Sequence, residues 1–531
     1  MAFVDTRSLA DGEVIEADIC VIGAGPAGVA IATAFAGDST RIALLESGDI
    51  GYDEETQALA AGEVVGIPYP DLEGVRLRML GGSTNHWGGN IRPLDAIDFE
   101  VRDWVPHSGW PFGLDELLPY YRRAAEFCGV PHEAFEIAAQ QSAVGASPWP
   151  FADDAVTSQV FQTVGGEARA LGLYHEEALE QASNVTTYLF ANVVDIKTDD
   201  LASKVSELTI KTLNEKTLTA RASHYVLAAG GIENPRILLL ANKTRTAGLG
   251  NQNDLVGRYF MEHLTSPDFA ALFPSDPQLD FRFYKDFEAE WGETWGILTL
   301  SEDTQRQSGL INARFQAAKI VNEFNKNIDD PSMQSLTRLV RSGSQGRLPD
   351  DFGQHLANVI ADIDDVAESG YYRLFHHPDY PLVSIDLVVI SEQVPNPDSR
   401  VYLGEQTDRF GQRQCVLDWR LTDLDSENLT LISEQIQRQF GRSGLGRVRI
   451  RLPEGGYKSI DPHPHYHHMG TTRMDKDPTR GVVDANCRLH ELPNLFIAGS
   501  SVFPTVGNVN PTLTIIALAY RLSDHLKGLK S

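Results

Sequence analysis

The sequence is short of several things, and each shortage excludes something. Among 531 residues there are four cysteines, Cys20, Cys128, Cys415 and Cys487, scattered and without a CxxC pair. A disulfide framework and a zinc ribbon are thereby excluded, and a reducing compartment fits. No window holds eighteen consecutive apolar residues, so no transmembrane helix is expected. The first seventeen residues carry Asp5, Arg7, Asp11, Glu13 and Glu16 and no apolar core, so no secretory signal is read there. The expected location is the cytoplasm. Positive charge is scarce as well: 45 Lys and Arg face 73 Asp and Glu, a net charge of −28. Such a field repels phosphate backbones and excludes non-specific nucleic-acid binding.

What is present is an ordinary globular composition, 42% apolar and 22% charged. The length suits two large domains that share an interface. No internal repeat or low-complexity segment stands out.

The first strong signal lies in residues 17–48, ADICVIGAGPAGVAIATAFAGDSTRIALLESG. A short apolar strand runs into Gly23-x-Gly25-x-x-Gly28, then an alanine-rich helix, then a second strand ending at Glu46. Gly23 permits the tight turn. Gly25 removes a Cβ where a pyrophosphate must approach, and Gly28 lets helix and strand pack closely. The helix N-terminus offers free N–H groups and a positive dipole end to phosphates. Glu46 suits both ribose hydroxyls and disfavours a 2′-phosphate. The pattern predicts a dinucleotide site without choosing between FAD and NAD.

Further along, residues 49–75 read as an irregular excursion. LDELLPYYRRAAEFC at 114–128 reads as a helix that Pro119 kinks or divides. Residues 186–231 read as a small antiparallel meander returning to the main sheet, and Pro235 as the opening of a helix through Leu240. From about 260 to 455 strand-like segments dominate, with helices near 350–368 and 424–440. PNLFIAGSSVFP is another buried strand, and an apolar helix follows from Thr512. The expected division is a nucleotide-binding first part at 1–260, a second domain at 261–455, and a return to the first domain at 456–531.

Several motifs together resemble the glucose–methanol–choline (GMC) family of FAD-dependent alcohol oxidoreductases. They are GAGPAGVAIA with Glu46, GGSTNHWGG at 81–89, VLAAGGIENPRILL at 226–239, VGRYFMEH at 256–263 and PNPDSRVYL at 395–403. YHHMGTTRM at 466–474, VVDANCRLHELPNLFIAGSSVFPT at 482–505 and NPTLTIIALA at 510–519 complete the set. The His–Trp pair and the Asn-Pro-Thr of the last motif are most similar to the pyranose-oxidase and glycoside 3-oxidase branch. The resemblance implies an α/β fold: a Rossmann-like FAD-binding domain with a second α+β substrate domain on a mostly antiparallel sheet.

It also implies residue roles. The family's catalytic histidine stands three residues before Gly-Thr, which here is His467. A neutral imidazole there can take a hydroxyl proton. Asn510 would orient the same oxygen, since its amide both donates and accepts; an N-cap role is compatible with that. His86 falls where that branch can join a histidine covalently to the flavin, although Asn85 and the two glycines after Trp87 depart from its pattern; packing on the flavin edge is the other reading. Gly81, Gly82, Ser83 and Asn90 would line the flavin. Gly230 and Gly499 would approach the FAD, and Val194 or its neighbour Val193 would meet adenine. Gln393 is read as reaching a sugar hydroxyl, with a solvated strand end as the alternative. HPHYHH at 463–468 raises metal binding, but Pro464 and the lack of an acidic or cysteine partner argue against it, and no metal is expected.

The function so implied is oxidation of a C2 or C3 hydroxyl of a pyranose or glycoside to the keto-sugar, with oxygen or a quinone-type electron acceptor. The rivals are a dehydrogenase of another alcohol and a non-redox flavin lyase on the same fold. No membrane partner is expected, and the oligomeric state is left open.

Overall fold

The computed structural model describes residues 3–322, 331–344, 347–349, 351–363, 366, 382–451 and 463–529. Its first sheet has six parallel strands, in the order Phe3–Asp5, Val185–Leu189, Ile42–Leu45, Ile19–Ile22, His224–Leu227 and Leu495–Ile497. The two glycine-motif strands are buried at every position, as a sheet covered on both faces requires. Leu495–Ile497 pairs with Tyr225–Leu227, so the end of the chain closes the sheet that its beginning opens. The apolar helix Thr512–Gly528 packs on helices Pro26–Ala34 and Leu114–Phe127 beneath that sheet.

Among the described residues the second large sheet has nine strands, all antiparallel in their pairings. Its spine is Gly446–Ile450, His263–Pro274, Leu382–Glu392, Ala313–Asn322, Gly292–Leu300, Val156–Val164 and Asn90–Ile91. Helix Asp423–Arg442 presents Leu429, Ile432, Ile436 and Phe440, one helical stripe, to the core that also holds Phe269 and Leu272 of the sheet. Residues before 260 therefore serve both sheets, because Asn90–Ile91 and Val156–Val164 pair inside the antiparallel one.

Four local expectations are corrected. Residues 49–75 are not wholly irregular: Gly62–Gly66 pairs in parallel with Arg413–Trp419. Of the expected meander, Val185–Leu189 joins the parallel sheet, and only Asn192–Thr198, Val205–Lys211 and Thr217–Arg221 form antiparallel neighbours. Pro119 does not divide its helix: Leu114–Phe127 is one element. The later helix spans Gly230–Leu240, so Pro235 lies inside it. Proline there leaves the Gly231 carbonyl without its helical donor. The Thr471 hydroxyl supplies one at 2.5 Å.

Candidate active site

A cleft of about 510 Å³ extends from the ends of strands Ile19–Ile22 and Ile42–Leu45 to the histidine segment at 465–468. At one end it begins where strand Ile19–Ile22 turns into helix Pro26–Ala34. Gly23 takes φ 103°, and a Cβ there would meet the Ala228 carbonyl oxygen at 2.7 Å. Gly28 does not line the cleft. A Cβ on it would sit 1.9 Å from the Gly23 oxygen, so its role is close packing of helix on turn. Gly25, Gly230 and Gly499 do line the cleft, and a Cβ on any of them would meet no protein atom within 4 Å. No side chain caps the helix at Gly25. Glu46 is buried at the tip of strand Ile42–Leu45, where its carboxylate accepts from Ala24 N–H and Gly48 N–H, each at 2.9 Å. Val193 and Val194 line the wall beside it.

The middle of the cleft carries Gly82, Ser83, His86, Trp87 and Asn90. Gly81 stands behind them, φ 88°, donating its N–H to the Ala24 carbonyl at 2.8 Å. Asn90 accepts from the Thr163 hydroxyl at 2.9 Å. Burial lowers His86 below an ordinary imidazole, so it is neutral near pH 7. The opposite wall is charged. Glu233 sits among Arg236 at 2.7 Å, Arg78 at 3.0 Å and Arg76 at 3.1 Å, and Arg236 also reaches Asp408 at 2.7 Å. Burial opposes ionisation, but Arg236, Arg78 and Arg76 together hold the Glu233 carboxyl well below its usual range. Three guanidinium groups face two carboxylates, which leaves one positive charge over.

The far end holds the histidines. Tyr466 takes φ 61° and turns the chain between His465 and His467, whose rings stack 5.4 Å apart. His467 Nδ1 lies 2.7 Å from His263 Nδ1, and its Nε2 lies 3.3 Å from Asn510 Nδ2. His263 is fully buried, and its Nε2 lies 2.9 Å from the Gly507 carbonyl oxygen. Burial, with His263, His465, Arg314 and His468 nearby, puts His467 well below an ordinary imidazole. Burial likewise takes His263 to about 3, helped by Arg314. His468 turns to Tyr69 and Phe260, with ring centroids 6.0 Å from each. Glu262, which burial raises to about 7, accepts from the N–H groups of His263 and His465 and from the Tyr69 hydroxyl, and so ties the two histidine segments together.

Asn510 lines the cleft and Asn508 does not. Arg314 makes the difference. Fully buried, it donates to the Asn508 carbonyl and, at 3.1 Å, to Asn510 Oδ1. With Oδ1 so held, the amide must point Nδ2 at His467. Gly507 precedes this segment at φ 59°. A Cβ there would collide with the Asp98 carboxylate at 2.4 Å.

Comparison with known proteins agrees with this layout. Residues 18–246 match the FAD dependent oxidoreductase family model, and residues 395–519 match the GMC oxidoreductase model. The chain carries an FAD-dependent oxidoreductase domain and a GMC oxidoreductase C-terminal domain. It is 24% identical to paromamine 6'-oxidase of Streptomyces fradiae over 96% of this chain and 91% of that one. It is 35% identical to C-glycoside 3-oxidase of Arthrobacter globiformis, over 22% of this chain and 21% of that one. Among solved structures, pyridoxine 4-oxidase from Mesorbium loti shares the fold, with a TM-score of 0.57 at 17% identity, covering 96% of this chain and 99% of that one.

FAD is the cofactor of such domains, and the cleft fits it. The three open glycines leave backbone bare along one wall, and uncapped helix starts at Gly25 and Pro511 offer N–H groups at both ends. Among the described residues no helix is long and apolar enough to cross a membrane, and no group of three or more His, Cys, Asp or Glu is placed to hold a metal ion.

Two expected contacts are corrected: Gly81 does not line the cleft, its backbone packing against Gly172 behind the wall, and Gln393 lies elsewhere. Gln393 does not reach the cleft. It is fully buried, accepts from Glu262 N–H at 3.0 Å and Trp419 Nε1 at 2.9 Å, and donates to the Arg420 carbonyl at 3.0 Å. Its hydrogen-bonding capacity is spent on joining strands. The residues that sequence reasoning missed are His263 and Arg314. His263 closes the VGRYFMEH motif, a visible signal. Arg314 shares its strand with a second cation, Lys319, and stands in no motif that would single it out.

Proposed function

We propose that this protein oxidises a secondary hydroxyl, at C2 or C3, of a pyranose sugar or glycoside to the keto-sugar. Segments 1–260 and 456–531 would hold FAD, while 261–455, with the strands recruited from earlier in the chain, would cover the substrate. The observation that carries the reading is the pairing of His467 Nε2 with Asn510 Nδ2, 3.3 Å apart and both facing the cleft. A hydroxyl oxygen placed between them gives its proton to Nε2 and receives a hydrogen bond from Nδ2. FAD, when bound, takes up the hydride from the carbon.

The surrounding residues support that step. As the proton leaves, negative charge grows on the oxygen. The Asn510 donor, with the Arg314 cation behind it, stabilises that charge. The fixed amide also limits the hydroxyl to one orientation. The surplus guanidinium on the Glu233 wall suits the pyrophosphate of the cofactor, and His86, which lines the cleft, would contact or bond the flavin. The names of two relatives, paromamine 6'-oxidase and C-glycoside 3-oxidase, support a sugar or glycoside substrate.

The test is anaerobic addition of glucose, then of a glycoside, to the yellow protein. Bleaching by either supports the reading, and faster bleaching by the glycoside favours oxidation at C3. Rapid recovery of colour in air marks oxygen as the acceptor; slow recovery marks a quinone or another acceptor. No bleaching by any sugar, from protein that bleaches with a simple alcohol, would overturn the sugar assignment.

A further inference from the structure

We propose that His263 is a positioning residue that decides which nitrogen of His467 receives the substrate proton. The inference rests on the reading of His467 as the base, and goes beyond it. The argument begins at the Gly507 carbonyl, which can only accept. His263 Nε2, 2.9 Å away, must therefore carry a hydrogen. A neutral imidazole has one N–H, so His263 Nδ1 is bare. That bare nitrogen lies 2.7 Å from His467 Nδ1. Two bare nitrogens at this distance would repel, so His467 Nδ1 carries the hydrogen and donates it. His467 Nε2 is left with a free lone pair, and it is the nitrogen that faces Asn510 and the cleft.

The other side of the ring enforces the same choice. Arg314 holds Asn510 Oδ1 at 3.1 Å, so the amide presents a donor to Nε2 and would clash with a hydrogen there. Two independent anchors, a backbone carbonyl through His263 and a buried guanidinium through Asn510, select one tautomer. The selecting partner is an imidazole and not a carboxylate. It fixes orientation without adding negative charge beside the substrate oxygen, where charge must build up.

Two substitutions separate acceptance at Nδ1 from donation at Nε2. His263→Asn places Oδ1 where Nδ1 was, keeping an acceptor for His467 but losing the bond to Gly507. His263→Gln places an amide N–H where Nε2 was, keeping the bond to Gly507 but losing the acceptor. Both are studied as FAD-loaded protein, by the rate of anaerobic flavin bleaching and by 15N spectra of histidine-labelled protein, with His467 assigned by its loss in His467→Gln. The expected result is a His467 hydrogen on Nδ1 in the wild type and in H263N, with H263N bleaching within about threefold of wild type. H263Q is expected to move the hydrogen to Nε2 and to slow bleaching roughly ten- to a hundredfold, the scale of one buried N–H left without an acceptor.

Equal rates in H263N and H263Q would overturn the proposal, as would a wild-type His467 protonated at Nε2. The latter reading needs no variant to fold. Unchanged bleaching in His467→Ala would instead overturn the identification of the base. Slow bleaching in His467→Ala with equal His263 variants would overturn this inference alone.

Discussion

The base should work in acid as well as at neutral pH. An imidazole with an ordinary value near 6.5 is about nine-tenths protonated at pH 5.5, so a step that needs it neutral slows by about tenfold there. His467 is not ordinary. Burial lowers it well below that value, and His263, His465, Arg314 and His468 add to the effect. The sign follows: the active form is the neutral one, and its loss begins only as pH falls through the lowered value. Between pH 8 and 5.5 the anaerobic rate of flavin bleaching at saturating substrate should change by less than about twofold. Glu262 titrates inside this range but bonds backbone N–H groups and the Tyr69 hydroxyl, so it should leave no limb in the profile. Arg314→Gln keeps an N–H donor for Asn510 and removes the cation. Protonation of His467 should then begin at higher pH, and the variant should lose rate towards pH 5.5 more steeply than the wild type. Stopped-flow bleaching across buffers, with far-UV circular dichroism as a control for folding, measures both. A wild-type profile that bends near 6.5, or an R314Q profile no steeper than the wild type's, would refute the reasoning.

Other outcomes follow from single contacts. Arg102 and Glu392 form a buried two-pronged pair at 2.5 and 2.9 Å, both side chains fully enclosed. Arg102→Met strands the carboxylate at a cost of about 3–5 kcal/mol, while the double change to Met at both positions recovers most of it. With 531 residues the unfolding entropy is about 1.1 kcal/mol per kelvin, so the single variant should melt about 3–5 °C lower; equal melting of single and double variants would refute this. Gly28→Ala forces a methyl against the Gly23 oxygen 1.9 Å away and should lower the share of purified protein that carries FAD several-fold, read from the ratio of flavin to protein absorbance, with a ratio equal to wild type as the refuting result. Acid precipitation of the wild type should carry the flavin down with the protein, and His86→Ala should release it. Free flavin from the wild type would leave His86 as a packing contact only.

The nucleotide end of the molecule was legible because its physics is local. Strand, glycine turn, helix, strand and Glu46 follow one another within 29 residues, and each glycine has a contact that excludes or tolerates a Cβ. The substrate end was less so, because distant residues supply its partners. Gly62–Gly66 looked irregular since the strand it pairs with begins at Arg413. Gln393 looked available since nothing nearby in sequence shows that Trp419 and Glu262 already use its amide oxygen. Pro235 looked like a helix start, and only the Thr471 hydroxyl explains how the helix passes it. His467 and Asn510 were marked by their motifs, but the groups that fix their orientation, His263 and Arg314, come from strands of the other sheet.

The last strand of the parallel sheet has a consequence for synthesis. Tyr225–Leu227 finds its outer neighbour only in Leu495–Ile497, and until then it is an edge with unpaired N–H and carbonyl groups. At about 5–20 residues per second, the roughly 270 residues between them take some 15–50 s to emerge from the ribosome. During that time the nascent chain presents a templating edge of Tyr, Val and Leu to its neighbours. Moderate over-expression should therefore tax the growing chain more than the finished enzyme, and slower synthesis at low temperature, or a chaperone that covers the edge, should raise the yield of yellow protein.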